Sequence, residues 1–213
     1  MRRVVRGWTI FLLSAVWLST VGLATAGEPT DLIRQTTDQV LKILEDPKLQ
    51  APDRQDERRT LLHKIADQAF DWPYMARLAL AVHWRERTPQ EQQEFVSLFK
   101  DLVEGTYISR LETAVLEKGE IQYVGEQVDG SRAVVKTNAV TKRTQLVPIE
   151  YRLQKVDGRW LIYDVLIEGI SLVNNYRSQF NRIITSSSYS QLVQKMKARQ
   201  VGELSGSPDR RGR

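Results

Sequence analysis

Few residues of this chain are of the types that carry out catalysis or bind transition metals. The sequence has two histidines, His63 and His83, both within patterns that predict helices, and it has no cysteine. It contains no HExxH motif and no glycine-rich phosphate loop, so the usual sequence signatures of zinc and nucleotide sites are missing. We therefore expect no metal site and no cofactor.

Asp164 and Ser171 are the remaining candidates for chemistry. Asp164 interrupts an apolar run, Trp160 to Ile167, which predicts a strand covered on both faces. A carboxylate in that position could be a general base with a raised pKa. Alternatively it pairs with Arg177 or caps a neighbouring helix, because a buried carboxylate usually needs a partner. Ser171 lacks the second glycine of a GxSxG nucleophile elbow, and we expect it to be a helix N-cap.

The first 26 residues have the layout of a secretory signal peptide. Arg2, Arg3 and Arg6 precede an uncharged, mostly apolar stretch over 7–23 and a small-residue cleavage site at 24–26. We expect cleavage after this site and export of the chain, whereas a retained segment would make it an anchored scaffold. Cleavage removes three arginines and lowers the net charge from +5 to +2. Such a small charge gives no support for nucleic-acid binding.

The helices that would position these residues follow from the spacing of apolar residues. Helical periodicity predicts a helix that ends before Pro47, a second after the loop 48–54, and a third that Asp71 caps and that continues through Trp84. A fourth, long helix runs from Thr88 to Leu116. Thr88 and Glu91 have the capping-box spacing, with proline at the first helical position.

From residue 120 the apolar period changes to two, which predicts strands over 120–128, 131–141, 144–155 and 159–168. Asp129-Gly130 and Asp157-Gly158 are hairpin turn signals, so consecutive strands should pair antiparallel. Two further helices follow Gly169. The predicted fold class is α+β: a four-stranded antiparallel meander wrapped by about six helices, as one domain over 27–200, with a disordered basic tail over 201–213.

The run GRWLIYDVLIEGISLVNNYRSQF, residues 158–180, resembles the signature of the MlaC, or toluene-tolerance, family of periplasmic phospholipid-binding proteins. Asp71-Trp72, His83-Trp84-Arg85 and Thr88-Pro89 also match the family pattern. The resemblance extends over about residues 30 to 197. Ala81 is a departure, because family members usually have glycine at this position.

The resemblance implies a cone related to nuclear transport factor two, with an apolar cavity between sheet and helices that holds the acyl chains of a phospholipid. It implies a soluble periplasmic carrier, not an enzyme, that moves lipid between the outer and inner membranes and maintains outer-membrane lipid asymmetry. The implied partners are an outer-membrane lipoprotein–porin complex and an inner-membrane ABC transporter with its substrate-binding subunit. The family includes hopanoid-associated members, so a hopanoid or another terpenoid is the alternative ligand.

Periodicity and family placement together select the residues expected to line that cavity. They are apolar or aromatic residues on inward faces of the predicted elements: Trp72, Met75, Phe99, Val103, Tyr107, Val147, Ile149, Tyr151, Val165, Ile167, Tyr176 and Phe180. Taken singly, each of them is more typical of an ordinary core than of a ligand contact. Because related cones host isomerases and hydratases, a small-molecule enzyme that uses Asp164 is the competing hypothesis. No histidine on the predicted sheet supplies the second group that acid–base catalysis would need.

Overall fold

The structure is a computed structural model that describes residues 27–115, 120–140 and 145–198. Within these ranges the chain forms six α-helices and one five-stranded sheet. No helix in the described ranges is both long and apolar enough to span a membrane. The predicted signal peptide and the predicted tail over 201–213 lie outside the described residues.

The six helices occur where the sequence predicts helices. They are α1 (Glu28–Glu45), α2 (Gln55–Ala69), α3 (Trp72–Leu80), α4 (Pro89–Val115), α5 (Leu172–Ser186) and α6 (Tyr189–Lys197). The capping box of α4 is confirmed: the Thr88 N–H donates to Glu91 Oε2 at 2.8 Å, and the Glu91 N–H donates to Thr88 Oγ1 at 3.2 Å. The predicted extent of the third helix is wrong, because α3 ends at Leu80 and a 3₁₀ turn, Ala81–Glu86, follows.

The sheet is an antiparallel meander whose strands follow chain order. It consists of β1 (Glu120–Asp129), β2 (Arg132–Val140), β3 (Leu146–Val156), β4 (Arg159–Ile167) and β5 (Ile170–Ser171). The hairpins at both Asp-Gly turns are confirmed, and Asp157 and Gly158 have φ values of +49° and +80°, as a tight hairpin turn requires. The prediction of four strands missed β5, because a two-residue strand has no periodicity to detect.

One face of the sheet packs under α1. We call the end of this face near the two Asp-Gly turns the hairpin end. Its central side chains are almost inaccessible, with Ala133 3%, Leu153 0% and Ile162 1% exposed, and they cluster with Ile33 of α1. The N-terminus of α1 is fixed there by Glu126, which accepts hydrogen bonds from the Thr30 N–H at 2.8 Å and the Thr30 hydroxyl at 2.6 Å. Helices α3 and α5 pack against β4, and with α4 and α6 they form a second core.

The turn that ends α3 holds a strained residue. Ala81 has φ +52° and ψ −120°, a conformation that glycine adopts freely and that residues with a Cβ avoid. This is the position at which the family resemblance leads us to expect glycine. The early end of α3 and the alanine are therefore parts of one feature, because the helix ends where the backbone takes a positive φ.

We expect Ala81→Gly to stabilise the protein by about 1 kcal/mol. Backbone strain of this kind costs about 1–3 kcal/mol, and glycine adds only about 0.4–1 kcal/mol of unfolded-state entropy. Urea unfolding of the chain over 27–213 measures the difference. Ala66→Gly, inside α2, is the matched control and should lose roughly 1 kcal/mol. A comparable loss in both variants would contradict the interpretation of Ala81 as strained.

Candidate functional site

Seven of the predicted cavity residues lie in the helical core. Six of them are buried in one cluster built from α3, α4, α5 and α6: Trp72, Met75, Phe99, Val103, Tyr176 and Phe180. The seventh, Tyr107, is half-buried and packs against this cluster. Aromatic rings pack edge to face within it, with the Phe99 and Tyr176 centroids 5.6 Å apart and those of Phe99 and Phe180 6.1 Å apart. In this conformation the six buried side chains are packed core and offer little surface to a ligand.

The other five lie on the face of the sheet that α1 partly covers. The register pairs Ile149 with Ile167 and Tyr151 with Val165, so these four side chains share that face with Val147. All five are half-buried, in contrast to the inaccessible residues at the hairpin end. We name Ile121, Ala139, Val147, Ile149 and Ile167 the apolar end of the sheet, since they share its half-buried, apolar character.

The apolar end of the sheet lies near the end of α4 and the start of α5. Only residues 116–119 separate the last residue of α4 from β1, whose Ile121 pairs with Ala139 at this end. On the other side, β5 pairs with the last residues of β4 and leads directly into α5. Helix α1 contacts β1, β2 and β4, and α4 in turn packs against α1.

The pKa of Tyr151 shows that this face of the sheet is poorly solvated. Burial raises the pKa of Tyr151 to about 12, although its side chain keeps some accessible surface. In the helical core, burial likewise raises the pKa of Tyr107, with a smaller contribution in the same direction from neighbouring Tyr176. A region that is partly accessible, lined by aliphatic side chains and low in polarity is suited to an apolar ligand with few polar contacts.

The shifted pKa of Tyr151 predicts a loss of stability in alkali. An unfolded tyrosine ionises near pH 10, whereas the folded Tyr151 retains its proton to about pH 12. The unfolded state therefore binds fewer protons between these values, and the free energy of unfolding falls as the pH rises through this window. Tyr151→Phe has no phenol to ionise, so it should lose roughly 1–3 kcal/mol less free energy of unfolding than the wild type across this pH window. Urea unfolding at several alkaline pH values measures the effect, and an identical decline in Tyr151→Phe would contradict it.

Asp164 is a helix-capping residue. Its Oδ2 accepts a hydrogen bond from the Ser171 hydroxyl at 2.7 Å, and its Oδ1 accepts one from the Val173 N–H, at the start of α5, at 3.1 Å. The predicted N-cap role of Ser171 is confirmed by the Asn174 N–H, which donates to its hydroxyl at 3.0 Å. The alternative pairing with Arg177 is wrong: Arg177 donates to the Leu78 carbonyl, and Arg152 approaches Asp164 instead, at 3.8 Å.

Neither histidine belongs to a recognisable catalytic or metal site. His83 Nε2 lies 3.0 Å from the Asn181 side-chain oxygen, and His63 Nδ1 lies 2.6 Å from Glu104 Oε2. Among the residues that the structure describes, no group of three or more histidines and acids is arranged to hold a metal ion. Glu104, a buried acid in α4, was not among the residues predicted from the sequence. Its only signal was a carboxylate directly after the apolar Leu102-Val103 pair.

Comparison with known proteins places these features in a family. The family model described as MlaC protein matches residues 34–198. The toluene tolerance protein Ttg2D of Pseudomonas putida is 27% identical over 181 residues, which are 83% of this chain and 81% of that protein. The intermembrane phospholipid transport system binding protein MlaC of Haemophilus influenzae is 19% identical over 190 residues, 87% and 88% of the two chains.

One solved structure resembles the whole described fold. It is a phospholipid-binding protein from Ralstonia solanacearum, determined in complex with a phospholipid. The TM-score is 0.72 at 25% sequence identity, and the match covers 82% of this chain and 97% of that one.

Proposed function

Because the chain belongs to the MlaC protein family, we propose that it carries a phospholipid whose acyl chains lie over the apolar end of the sheet. The observation that supports this proposal most directly is the change in burial along one sheet face. The hairpin end is sealed by α1, whereas the apolar end remains half-buried and aliphatic. The related Ralstonia protein was solved with a phospholipid bound.

The energetics of a lipid explain why such a carrier needs an apolar space. Two acyl chains of about 15 methylenes each have a transfer free energy of ~24 kcal/mol at ~0.8 kcal/mol per buried CH₂. A lipid therefore leaves a bilayer at a useful rate only if a protein replaces most of that burial. Exchange between protein and bilayer is then nearly balanced, and the direction of transport comes from the partners.

The signal peptide predicted over 1–26 supports a periplasmic location for this carrier. In that compartment it would move lipid between the outer and inner membranes and so help maintain outer-membrane lipid asymmetry. Its partners would be an outer-membrane lipoprotein–porin complex and an inner-membrane ABC transporter with its substrate-binding subunit. The charge of +2 expected for the exported chain suits a shuttle, since a strongly basic protein would remain on anionic membranes.

Native mass spectrometry of the exported chain, purified without detergent, tests the proposal. We expect bound diacyl phospholipid, which extraction and mass analysis of the lipid would identify. A bound hopanoid or other terpenoid would keep the carrier function and change the cargo. An empty protein that takes up no labelled phospholipid from vesicles would contradict the proposal.

A further inference from the structure

Helices α2 and α4 form an antiparallel seam of paired charges. Successive residues along α2 pair with residues of α4 in reverse chain order. Arg58 pairs with Glu112 at 2.8 Å, His63 with Glu104 at 2.6 Å, and Asp67 with Lys100 at 2.5 Å. The first and second pairs are five residues apart in α2 and eight residues apart in α4. The paired charges are therefore unequally spaced along the two helices.

A cleft of about 330 Å³ opens in the seam between these pairs. Arg59 and His63 line it from α2, and Asp101, Glu104 and Gly105 line it from α4. Gly105 lies beside open space, because a Cβ added at this position would meet no atom within 4 Å. Glycine inside a helix costs about 0.5–1 kcal/mol relative to alanine, and no close packing requires it here. The space has the volume of a small ligand site.

The cleft contains two charged side chains with polar atoms that lack partners. Glu104 is 4% exposed, and its Oε1 is buried without a hydrogen bond in the described structure, whereas Oε2 is bonded to His63. Arg59 Nε is likewise buried without a partner, although an Nη of Arg59 lies 3.5 Å from Glu112. Each such group costs about 1–3 kcal/mol when buried and unsatisfied. Burial also raises the pKa of Glu104, as expected for a carboxylate whose charge is incompletely compensated.

The two ends of the cleft differ in charge. At one end Arg58 and Arg59 share a single carboxylate, that of Glu112, which leaves a net positive charge. At the other end Glu104 and Asp101 are both acidic. Arg59 and His63 are one helical turn apart, or about 6 Å. A ligand that satisfies both ends must have an acceptor with negative charge and a donor with positive charge, separated by a short linker.

We propose that this cleft binds a compact zwitterion of the phosphoethanolamine type, with its ammonium group at Glu104 and its phosphate at Arg59. A primary ammonium can donate to Glu104 Oε1, whereas a quaternary ammonium has no N–H to donate. A phosphoglycerol group has no positive charge at all. Two sources would supply this zwitterion. One is the headgroup of a carried lipid, in which case the inference rests on the proposed function. The other is free phosphoethanolamine, in which case it does not.

Titration of the exported chain with phosphoethanolamine, followed by NMR of the imidazole signals of His63, tests binding directly. We expect saturable shifts, with phosphocholine and glycerol phosphate at least tenfold weaker. Glu104→Gln keeps the shape of the side chain and should weaken binding at least tenfold. Gly105→Leu fills the open space and should abolish it. Glu57→Gln removes an acid of α2 that pairs with Arg54 outside the cleft, and it should leave binding unchanged.

Lipid extraction from the same variants distinguishes the two sources. A headgroup site predicts that wild-type protein is enriched in phosphatidylethanolamine relative to the membrane, and that Glu104→Gln loses the enrichment at unchanged total lipid. Binding of phosphoethanolamine without lipid enrichment would support the free zwitterion. Absence of both would overturn the cleft proposal even if the protein carries lipid. A wild-type protein without lipid would contradict the carrier function, while the titration would still decide the cleft.

Discussion

Val147→Trp is expected to reduce bound phospholipid at least tenfold while the protein remains folded. Val147 is half-buried at the apolar end of the sheet and lies outside both buried clusters around the sheet and the helices. A tryptophan there occupies the space that acyl chains would use. Excess volume in a packed apolar site costs typically about 1–3 kcal/mol, and tenfold corresponds to about 1.4 kcal/mol.

The measurement is lipid per protein after detergent-free purification, together with uptake of labelled phospholipid from vesicles. Lys136→Trp is the matched control, because Lys136 is exposed and pairs with Glu150 on the opposite sheet face. It should bind lipid like the wild type. The melting temperatures of both variants should stay within a few degrees of the wild-type value. Undiminished lipid in folded Val147→Trp would show that the acyl chains lie elsewhere.

Much of the fold follows from signals that are local in the sequence. The capping box fixes the start of α4, and two Asp-Gly turns fix the hairpins that order the sheet. The end of α3 could not be predicted in the same way. Alanine is the best helix former, so nothing in the apolar spacing indicates that Ala81 takes a positive φ. The glycine expected at this position from the family resemblance was the only available signal.

A β-bulge in β4 decides which residues can face the candidate site. Simple alternation places Asp164 on the same face as Ile162. Instead, Leu153 pairs with Ile162 and Arg152 with Asp164, so Tyr163 is an additional residue on β4. The bulge moves Asp164 to the face opposite Ile162 and brings Val165 into line with Tyr151. Periodicity alone cannot show such a shift, because it depends on pairing with a neighbouring strand.

The predicted cavity residues illustrate a second limit of sequence patterns. Phe99 and Val147 both have the apolar character and inward placement expected of a cavity wall. In the structure Phe99 is 0% exposed among aromatic rings, whereas Val147 retains accessible surface. Core packing and cavity lining require the same residue types. The difference arises from how closely neighbouring helices pack on each residue, which is a property of the assembled fold.

Asp164→Ala is expected to destabilise the protein by about 3–5 kcal/mol, the usual cost of removing one partner from a buried charged network. Asp164 is 4% exposed and accepts hydrogen bonds from Ser171 and Val173. Its removal leaves the N-terminus of α5 without that carboxylate and Arg152 without one of its two nearby acids. Urea unfolding measures the loss. Ser171→Ala removes only the N-cap hydroxyl and should cost about 1 kcal/mol, which provides a graded comparison at the same site.

Replacement of Asp164 also distinguishes the carrier hypothesis from the competing enzyme hypothesis. Asp164→Asn retains the size of the side chain, and in the folded protein it should leave the amount of bound lipid unchanged, because the bulge directs Asp164 away from the apolar face. Replacement of a general base would have a different effect on the free energy of unfolding. Such residues are commonly kept at a cost in stability, so their replacement is often neutral or stabilising. A stability gain in Asp164→Asn would therefore support chemistry at this carboxylate, whereas a loss with intact lipid binding identifies it as the group that holds α5 on the sheet.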